Sequence, residues 1–416
     1  MVYFSKSKFF RFFGKRVYLI MNENKVIYLD NNATTAVAPE VFEAMRPFFC
    51  ERYGNPSSIH HFGGSVAPEI ENARRQVAEL LGAGFRDREG NASEIIFTSC
   101  GTEGDNAALN AGVAARPGRR KVITTAVEHP GVHAYCRELS RRGCEIVTLP
   151  VDGRGRLDLA DLEKTVDENT AIVSIMWANN ETGTIFPVEE AARIAHSKGA
   201  LFHTDAVQAA GKVPINLDDS EIDFLSISGH KLHAPKGVGV LYIRRGTRFK
   251  PFLFGGHQEK ARRGGTENVA SIIGLGKACE MARLNLDAER VQLAGLRDRL
   301  ERGILEQIPE VRINGDLENR LPNTSSVSFE YIEGESILML LDRLNICASS
   351  GSACTTGSLE PSHVMRAMGL PYTAAHGTIR FSLSKYNTAE EIDFVVESLP
   401  PIIARLREIS PYWKER

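Results

Sequence analysis

Short apolar runs rich in β-branched residues alternate along this chain with longer stretches whose apolar positions recur at helical spacing. Residues 26–29 read as a short strand before the polar turn Asp30-Asn-Asn-Ala-Thr-Thr35, and residues 38–51 and 67–81 carry helical spacing. Strand and helix patterns then take turns. Strands over 94–98, 121–125, 144–151 and 170–177 precede helices over 105–115, 132–142, 158–166 and 187–197. Residues 200–204 lead to two further apolar runs, 224–228 and 238–243, which enclose Gly229-His-Lys231-Leu-His-Ala-Pro-Lys236. Repeated β-α units predict an α/β fold with a mainly parallel sheet covered on both faces, and ligands in such sheets bind beyond the C-terminal strand ends. Past Gly265 the character changes. Residues 269–305 form one long charge-rich helical pattern, a domain connector. Strands over 325–329 and 378–382 and helices over 335–344 and 389–408 then predict a smaller α+β domain. The expected division is a large domain over 38–280 and a small domain combining 22–37 with 281–416, behind an extension over 1–21.

Composition narrows the class. With 416 residues, 43% of them apolar, the chain has ample material for two cores, and a net charge of −2 supplies no electrostatic footprint for nucleic acid or an anionic membrane. The seven cysteines are scattered without a C-x-x-C pair, which points to a reducing compartment and a cytoplasmic protein. No apolar run reaches membrane-spanning length. The first twenty residues stand apart, with Lys6, Lys8, Arg11, Lys15 and Arg16, five phenylalanines and no acid. A presequence or surface helix has this composition; a disordered tail or a true start at Met21 accounts for it more simply.

Candidate chemistry collects at the predicted strand ends. Lys231 and Lys236 lie in the turn between two buried strands, and either, once desolvated, is an amine nucleophile able to form a Schiff base with an aldehyde. Cys100-Gly101-Thr102-Glu103-Gly104 opens a helix with backbone amides suited to a phosphate. His129 before Pro130 can stack on a flat ring. The amides of Asn179-Asn180-Glu181-Thr182-Gly183 can reach a phenolic oxygen, and Asp205 can hold a pyridinium nitrogen protonated, making the ring an electron sink. Each cluster alone has an ordinary structural explanation as a cap or turn; together they supply every contact pyridoxal phosphate needs.

In this order the motifs resemble the cysteine desulfurases of the class V aminotransferase family, nitrogen-fixation-type branch. The resemblance runs from Leu29-Asp-Asn-Asn-Ala-Thr-Thr35 through Gly54-Asn-Pro-Ser-Ser58, Cys100-Gly-Thr-Glu103, Glu128-His-Pro130, Asn179-Asn-Glu-Thr-Gly183 and His203-Thr-Asp-Ala206. It continues through Ser226-Ile-Ser-Gly-His-Lys231, Arg263-Gly-Gly-Thr-Glu-Asn268, the Ser349–His363 stretch and Thr378-Ile-Arg-Phe-Ser382. It implies the fold type I architecture of pyridoxal-phosphate enzymes and selects Lys231 over Lys236 as the cofactor lysine. It further implies phosphate contacts from Gly101, Thr102, Ser228, Gly229 and His230, ring stacking by His129, and Asp205 on the ring nitrogen. Gln208 and Asn180 would meet the ring oxygen. Thr266 would reach the phosphate of a second subunit, so a homodimer is expected. Asn32 and Arg380 would hold the carboxylate of the substrate, L-cysteine. The N-terminal extension has no counterpart in the family pattern.

The second centre is Cys354, within Ala348-Ser-Ser-Gly-Ser-Ala-Cys-Thr-Thr-Gly-Ser358. So many small residues offer nothing to bury a thiol and predict a mobile loop, whereas Cys136, Cys144 and Cys279 read as buried and inert. A persulfide-forming thiol needs such reach, and its thiolate needs a base, for which His129 is the candidate. The expected activity is removal of sulfur from L-cysteine, giving L-alanine and a Cys354 persulfide. That sulfur would pass to an iron–sulfur scaffold protein for cluster assembly, with Cys354 as a transient cluster ligand shared with the scaffold. The alternatives are a desulfurase for general iron–sulfur supply or tRNA thiolation, a selenocysteine lyase or an aminotransferase on the same fold, and a non-catalytic sulfur carrier.

Overall fold

The computed structural model describes residues 25–350 and 360–414, together with two paired two-residue strands, β1 (Arg11–Phe12) and β2 (Lys15–Arg16). The remainder of the predicted extension, residues 1–21, lies outside the described residues, as does Cys354. β3 (Ile27–Tyr28) is followed by helices α1 (Pro39–Met45), α2 (Pro47–Cys50), α3 (His61–Gly64) and α4 (Ala67–Leu80). The helix predicted over 38–51 is thus two, because Pro47 has no N–H to continue the first ladder and starts the second instead.

The β-α alternation forms as the pattern predicts. β4 (Ile95–Thr98) leads to α5 (Gly101–Ala115), β5 (Lys121–Thr125) to α6 (Pro130–Arg141), β6 (Glu145–Leu149) to α7 (Leu159–Thr165), and β7 (Thr170–Ser174) to α8 (Val188–Ser197). With β8 (Leu201–Asp205), β9 (Phe224–Ser228) and β10 (Gly239–Ile243) these strands make one seven-stranded sheet in the order β4-β10-β9-β8-β7-β5-β6. Only β10 runs antiparallel to its neighbours. The other six therefore point their C-terminal ends at one edge. α5 begins four residues earlier than its apolar spacing suggests. Its first turn is glycine-rich, a poor helix signal, yet the close approach to the sheet requires it: a Cβ on Gly104 would stand 2.8 Å from Ser226 Oγ.

After α9 (Gln258–Ala261), the long helix α10 (Val269–Gln307) leaves this sheet. β11 (Val311–Asn314), β12 (Thr324–Phe329) and β14 (Thr378–Ser382) form a three-stranded antiparallel sheet, while β13 (Ile346–Cys347) pairs in parallel with β3. Helices α11 (Gly334–Asp342), α12 (His363–Ala367), α13 (Tyr372–His376), α14 (Ala389–Ile409) and α15 (Pro411–Lys414) complete the chain. β11 and β13 were not legible in the sequence, being four and two residues long.

Three main apolar cores result. One gathers Val41, Ile70, Phe97, Ile123, Phe202 and Leu225 on one face of the large sheet, a second gathers Ile96, Val122, Ile172 and Phe224 on its other face, and a third gathers Leu29, Val327, Phe329, Ile337, Phe381 and Leu399. α10 joins the first and the third, through Leu275 and Cys279 in its first half and Leu300 and Ile304 in its second. None of the helices among the described residues is long and apolar enough to cross a membrane.

The first half of α10 lies against α4 at very short range, since a Cβ on Gly276 would stand 2.5 Å from Ala73 Cα. That neighbour is backbone and has no rotamer to yield. Gly276→Ala should therefore lower stability by about 1–3 kcal/mol in denaturant unfolding, despite alanine's better helix propensity. An unchanged or raised midpoint would contradict this packing.

Candidate functional site

The site is built where β9 ends. Ser228 closes the strand, Gly229–Lys231 makes a single 3-10 turn, and β10 returns antiparallel. Gly229 permits that return: its N–H donates to Val238 O at 3.0 Å, and a Cβ there would lie 2.9 Å from Val238 Cγ1. The turn carries Lys231 towards residues 32–33, where its Nζ donates to Asn32 O and, at 2.7 Å, to Ala33 O. Lys236 lies beyond the turn and is exposed. The two candidate lysines thus sit in different surroundings.

Asp205 ends the neighbouring strand β8, buried, with Oδ1 accepting the Val207 N–H at 2.9 Å. Burial raises its carboxyl above the ordinary range, against the pull of His129, the Val207 N–H and Lys231. His129 caps α6, its Nδ1 accepting the Gly131 N–H at 3.1 Å, so the neutral ring carries its proton on Nε2. Burial depresses this imidazole, so a neutral ring is favoured. One ligand-capable atom each from Asp105, His129 and Asp205 lies within 4.8 Å of the others. Asp105, on α5, is almost wholly buried, and its carboxyl is raised well above the ordinary value by burial and then by the charge of Asp205. His203, between Ser174 Oγ at 2.8 Å and Ser226 Oγ at 3.0 Å, is pushed down to about 3 by burial and stays neutral.

The remaining candidates surround this centre. Gly101 and Thr102 start α5, where the Cys100 side chain makes no capping bond, so the amides of the first turn are not taken up by it. A Cβ on Gly101 would meet Val207 Cγ2 at 2.8 Å, and one on Gly131 would lie 3.1 Å from His129 Nδ1 and 3.3 Å from Thr102 Oγ1, which places the helix start beside His129. Ser228 is buried, and His230 Nδ1 lies 3.1 Å from Thr34 Oγ1. Gln208 Nε2 donates to Asn32 O at 3.0 Å.

Arg380, on β14, is only 2% exposed. Its Nη2 donates to Asp30 Oδ1 at 2.8 Å and its Nη1 to Asn180 O at 3.1 Å, while Nε finds no partner among the described residues. Asn32 is equally engaged: Nδ2 donates to Asn180 O and Thr324 Oγ1, and Oδ1 accepts from Asn323. As folded, Asn32 ties the turn to its neighbours, and Asp30 occupies part of the Arg380 fork. Thr266 is exposed, on a segment held to α5 by the bidentate Arg263–Glu103 pair at 2.9 and 3.1 Å. Cys136, Cys144 and Cys279 are buried as the sequence suggests.

Several residues of the site were not singled out in the sequence. Glu128 was quoted only as a neighbour of His129, yet it is fully buried; its Oε1 accepts from Thr125 Oγ1 and Met176 N, and its Oε2 has no partner among the described residues. The segment that follows residue 359 is fastened there too. His363 Nε2 donates to Glu128 O at 3.0 Å, and Ser362 Oγ donates to buried Glu181 at 2.6 Å. The Ser362-His363 pair had a readable cap signal; its partners, 181 and 235 positions away, did not.

Burial lifts the Glu128 carboxyl to about 8, against an ordinary value of 4.5. Between these values the folded chain holds a proton that the unfolded chain releases, so stability falls as pH rises through the window. Glu128→Gln should flatten that dependence in denaturant unfolding measured between about pH 4.5 and 8; equal slopes for the two proteins would refute the assignment.

This constellation has close counterparts. Residues 27–395 match the family model Aminotransferase class-V. The chain is 59% identical over 387 residues to the cysteine desulfurase NifS of Azotobacter vinelandii, covering 93% of this chain and 95% of that protein. A solved structure described as a NifS-like protein is 42% identical and superimposes with a TM-score of 0.85 over 92% of this chain and all of the other. SspA in complex with cysteine, at 33% identity and a TM-score of 0.76, covers 87% of this chain and the whole of that one. The chain belongs to the aminotransferase class-V family.

Proposed function

We propose that this protein is a pyridoxal-phosphate-dependent cysteine desulfurase. The observation that carries the reading is the convergence of Lys231, Asp205, His129 and the α5 start at one sheet edge, in a chain 59% identical to a cysteine desulfurase. These residues fit the cofactor. A buried carboxylate with a raised proton affinity favours its ionised form once a cation such as a pyridinium nitrogen stands beside it. The α5 start, without a side-chain cap from Cys100, suits a phosphate. Gly101, Thr102, Ser228, Gly229 and His230 would hold that phosphate, joined by Thr266 from a second copy of the chain in a homodimer. His129 would lie on the ring, and Gln208 and Asn180 near its oxygen.

When bound, pyridoxal phosphate supplies an aldehyde for the amine of L-cysteine and a ring that holds the electron pair released at its Cα. Lys231 Nζ would hold the cofactor and would carry the substrate α-proton. Arg380 holds the substrate carboxylate through its planar fork, for which Asp30 must give way. Asn32 fixes the turn beside it. His129, whose neutral form burial favours, would accept the thiol proton. The net change is L-cysteine plus the Cys354 thiol giving L-alanine and a Cys354 persulfide. The persulfide passes its outer sulfur to an iron–sulfur scaffold protein, with Cys354 a transient ligand during transfer. Identity to NifS favours supply to nitrogen fixation. The division into a large domain over 38–280 and a small one of 22–37 with 281–416 is supported by the two main cores that α10 joins. Free cysteines throughout the described residues suit a reducing cytoplasm.

After L-cysteine is added, mass spectrometry should find one extra sulfur on the peptide containing Cys354. Cys354→Ala should lose nearly all alanine production while keeping the yellow cofactor absorbance; undiminished turnover would sink the persulfide role. Lys231→Ala should lose that covalent absorbance altogether, and retention would transfer the role to another lysine.

A further inference from the structure

A second lysine stands behind the first. Lys212 follows Gln208 by four positions in the turned segment after β8, where Lys212 N–H bonds Ala209 O and Val213 N–H bonds the same carbonyl. Its Nζ donates to Gln208 O at 3.1 Å and approaches Gln208 Oε1 at 3.5 Å. The other end of that amide, Nε2, donates to Asn32 O, the carbonyl that also accepts from Lys231 Nζ. The two ammonium groups are therefore linked through one side-chain amide and one carbonyl, and both line a single cavity of about 40 Å³.

The charges around that cavity are mostly positive. His233 faces it from the lysine loop, Glu289 from α10, and Lys385 from the segment after β14. Glu289 is already engaged with Lys385 at 3.3 Å. On the Lys231 side stand Asp205, His129 and His230. Burial, and then the charge of Lys231, push Lys212 down to about 7. Lys212 in turn adds to the depression of His230 and His233, each pushed to about 4 chiefly by burial. Electrostatic coupling is mutual, so whatever Lys231 does to Lys212 is returned.

We propose that Lys212 is a positioning residue for the reaction: standing behind Lys231 and linked to it through Gln208 and Asn32 O, it disfavours a second positive charge on Lys231 whenever it holds its own, and its contact with the Gln208 amide steers Nε2 towards Asn32. A cationic neighbour is a recognised way to activate a lysine nucleophile. The inference rests on Lys231 being the lysine that bonds the cofactor. It gives the QxxxK spacing of Gln208 and Lys212 a chemical purpose beyond the contact of Gln208 with the cofactor.

The test is a pH series on protein freed of cofactor. Pyridoxal phosphate is added, the bond to lysine is trapped with borohydride, and the marked peptide is located by mass spectrometry. In the wild type the mark should fall on Lys231, and its pH of half-maximal trapping is the reference for the variants. In Lys212→Gln the midpoint should move up by about one pH unit, while Lys212→Arg, which keeps the charge at every pH tested, should move it no higher than wild type. Lys212→Met replaces the Gln variant if that one does not fold. A purely structural role would change thermal stability and leave the trapping midpoint in place; unchanged midpoints, or an upward move in Lys212→Arg, overturn the proposal. A wild-type mark on any residue but Lys231 overturns instead the assignment on which it rests.

Discussion

The site depends on how heavily the backbone of one short turn, residues 30–35, is engaged in hydrogen bonds. Asn32 O accepts from Gln208 and Lys231, Ala33 O from Lys231, and Thr34 O from the Tyr28 hydroxyl. Thr35 donates its N–H and its hydroxyl to His230 O, and Asp30 pairs with Arg380. Together these bonds join the turn to β3, the lysine loop, the segment after β8, and β14 of the second sheet. Buried backbone groups must be paired, so these bonds hold the two sheets in register at the place where their functional residues meet. The turn begins just after β3, which pairs with β13 in the smaller sheet assembly, and ends against the larger one.

Burial sets the charge states within that frame. Asp105, Glu128, Glu181 and Asp205 are all buried, and each has its carboxyl raised primarily for that reason. The histidines His129, His133, His203 and His230 are driven the other way by the same cause. The result is a site whose acids tend to keep protons and whose imidazoles and Lys212 tend to lose them. Such an environment is poised to be reorganised by a charged group entering it, because a phosphate, a pyridinium or a substrate carboxylate each changes the balance locally. Among the described residues Glu128 Oε2 and Arg380 Nε have no hydrogen-bond partner, and they mark where that reorganisation has room to act.

The rigidity needed to hold these groups comes from close backbone approach. Gly101, Gly104 and Gly112 let α5 lie on the sheet, and Gly276 lets α10 lie on α4. α10 then continues into the third core, so the packing that supports Lys231 also positions the strands that carry Arg380. The persulfide chemistry proposed at Cys354 needs reach, whereas the proton transfer proposed at Lys231 needs fixed geometry.

Much of this was legible in the sequence. The period-two and helical patterns located β5 and β14 at their observed bounds and placed most other elements within a few residues, because local hydrophobic periodicity reports which face is buried. Motif order carried Lys231, Asp205, His129 and the α5 start to one sheet edge, since each lies at or within four residues of a strand's C-terminal end. Choosing Lys231 over Lys236 on physical grounds took the tertiary structure, which bonds one to Asn32 and Ala33 and leaves the other exposed. So did the burial of Glu128, the commitment of Asn32, the Asp30–Arg380 pair and the link from Lys212 to Lys231. These depend on partners up to 350 positions apart. Local pattern determines which elements form and what their ends carry; only the packing of two sheets around one turn decides which polar groups lose water, and with it which way their protons move.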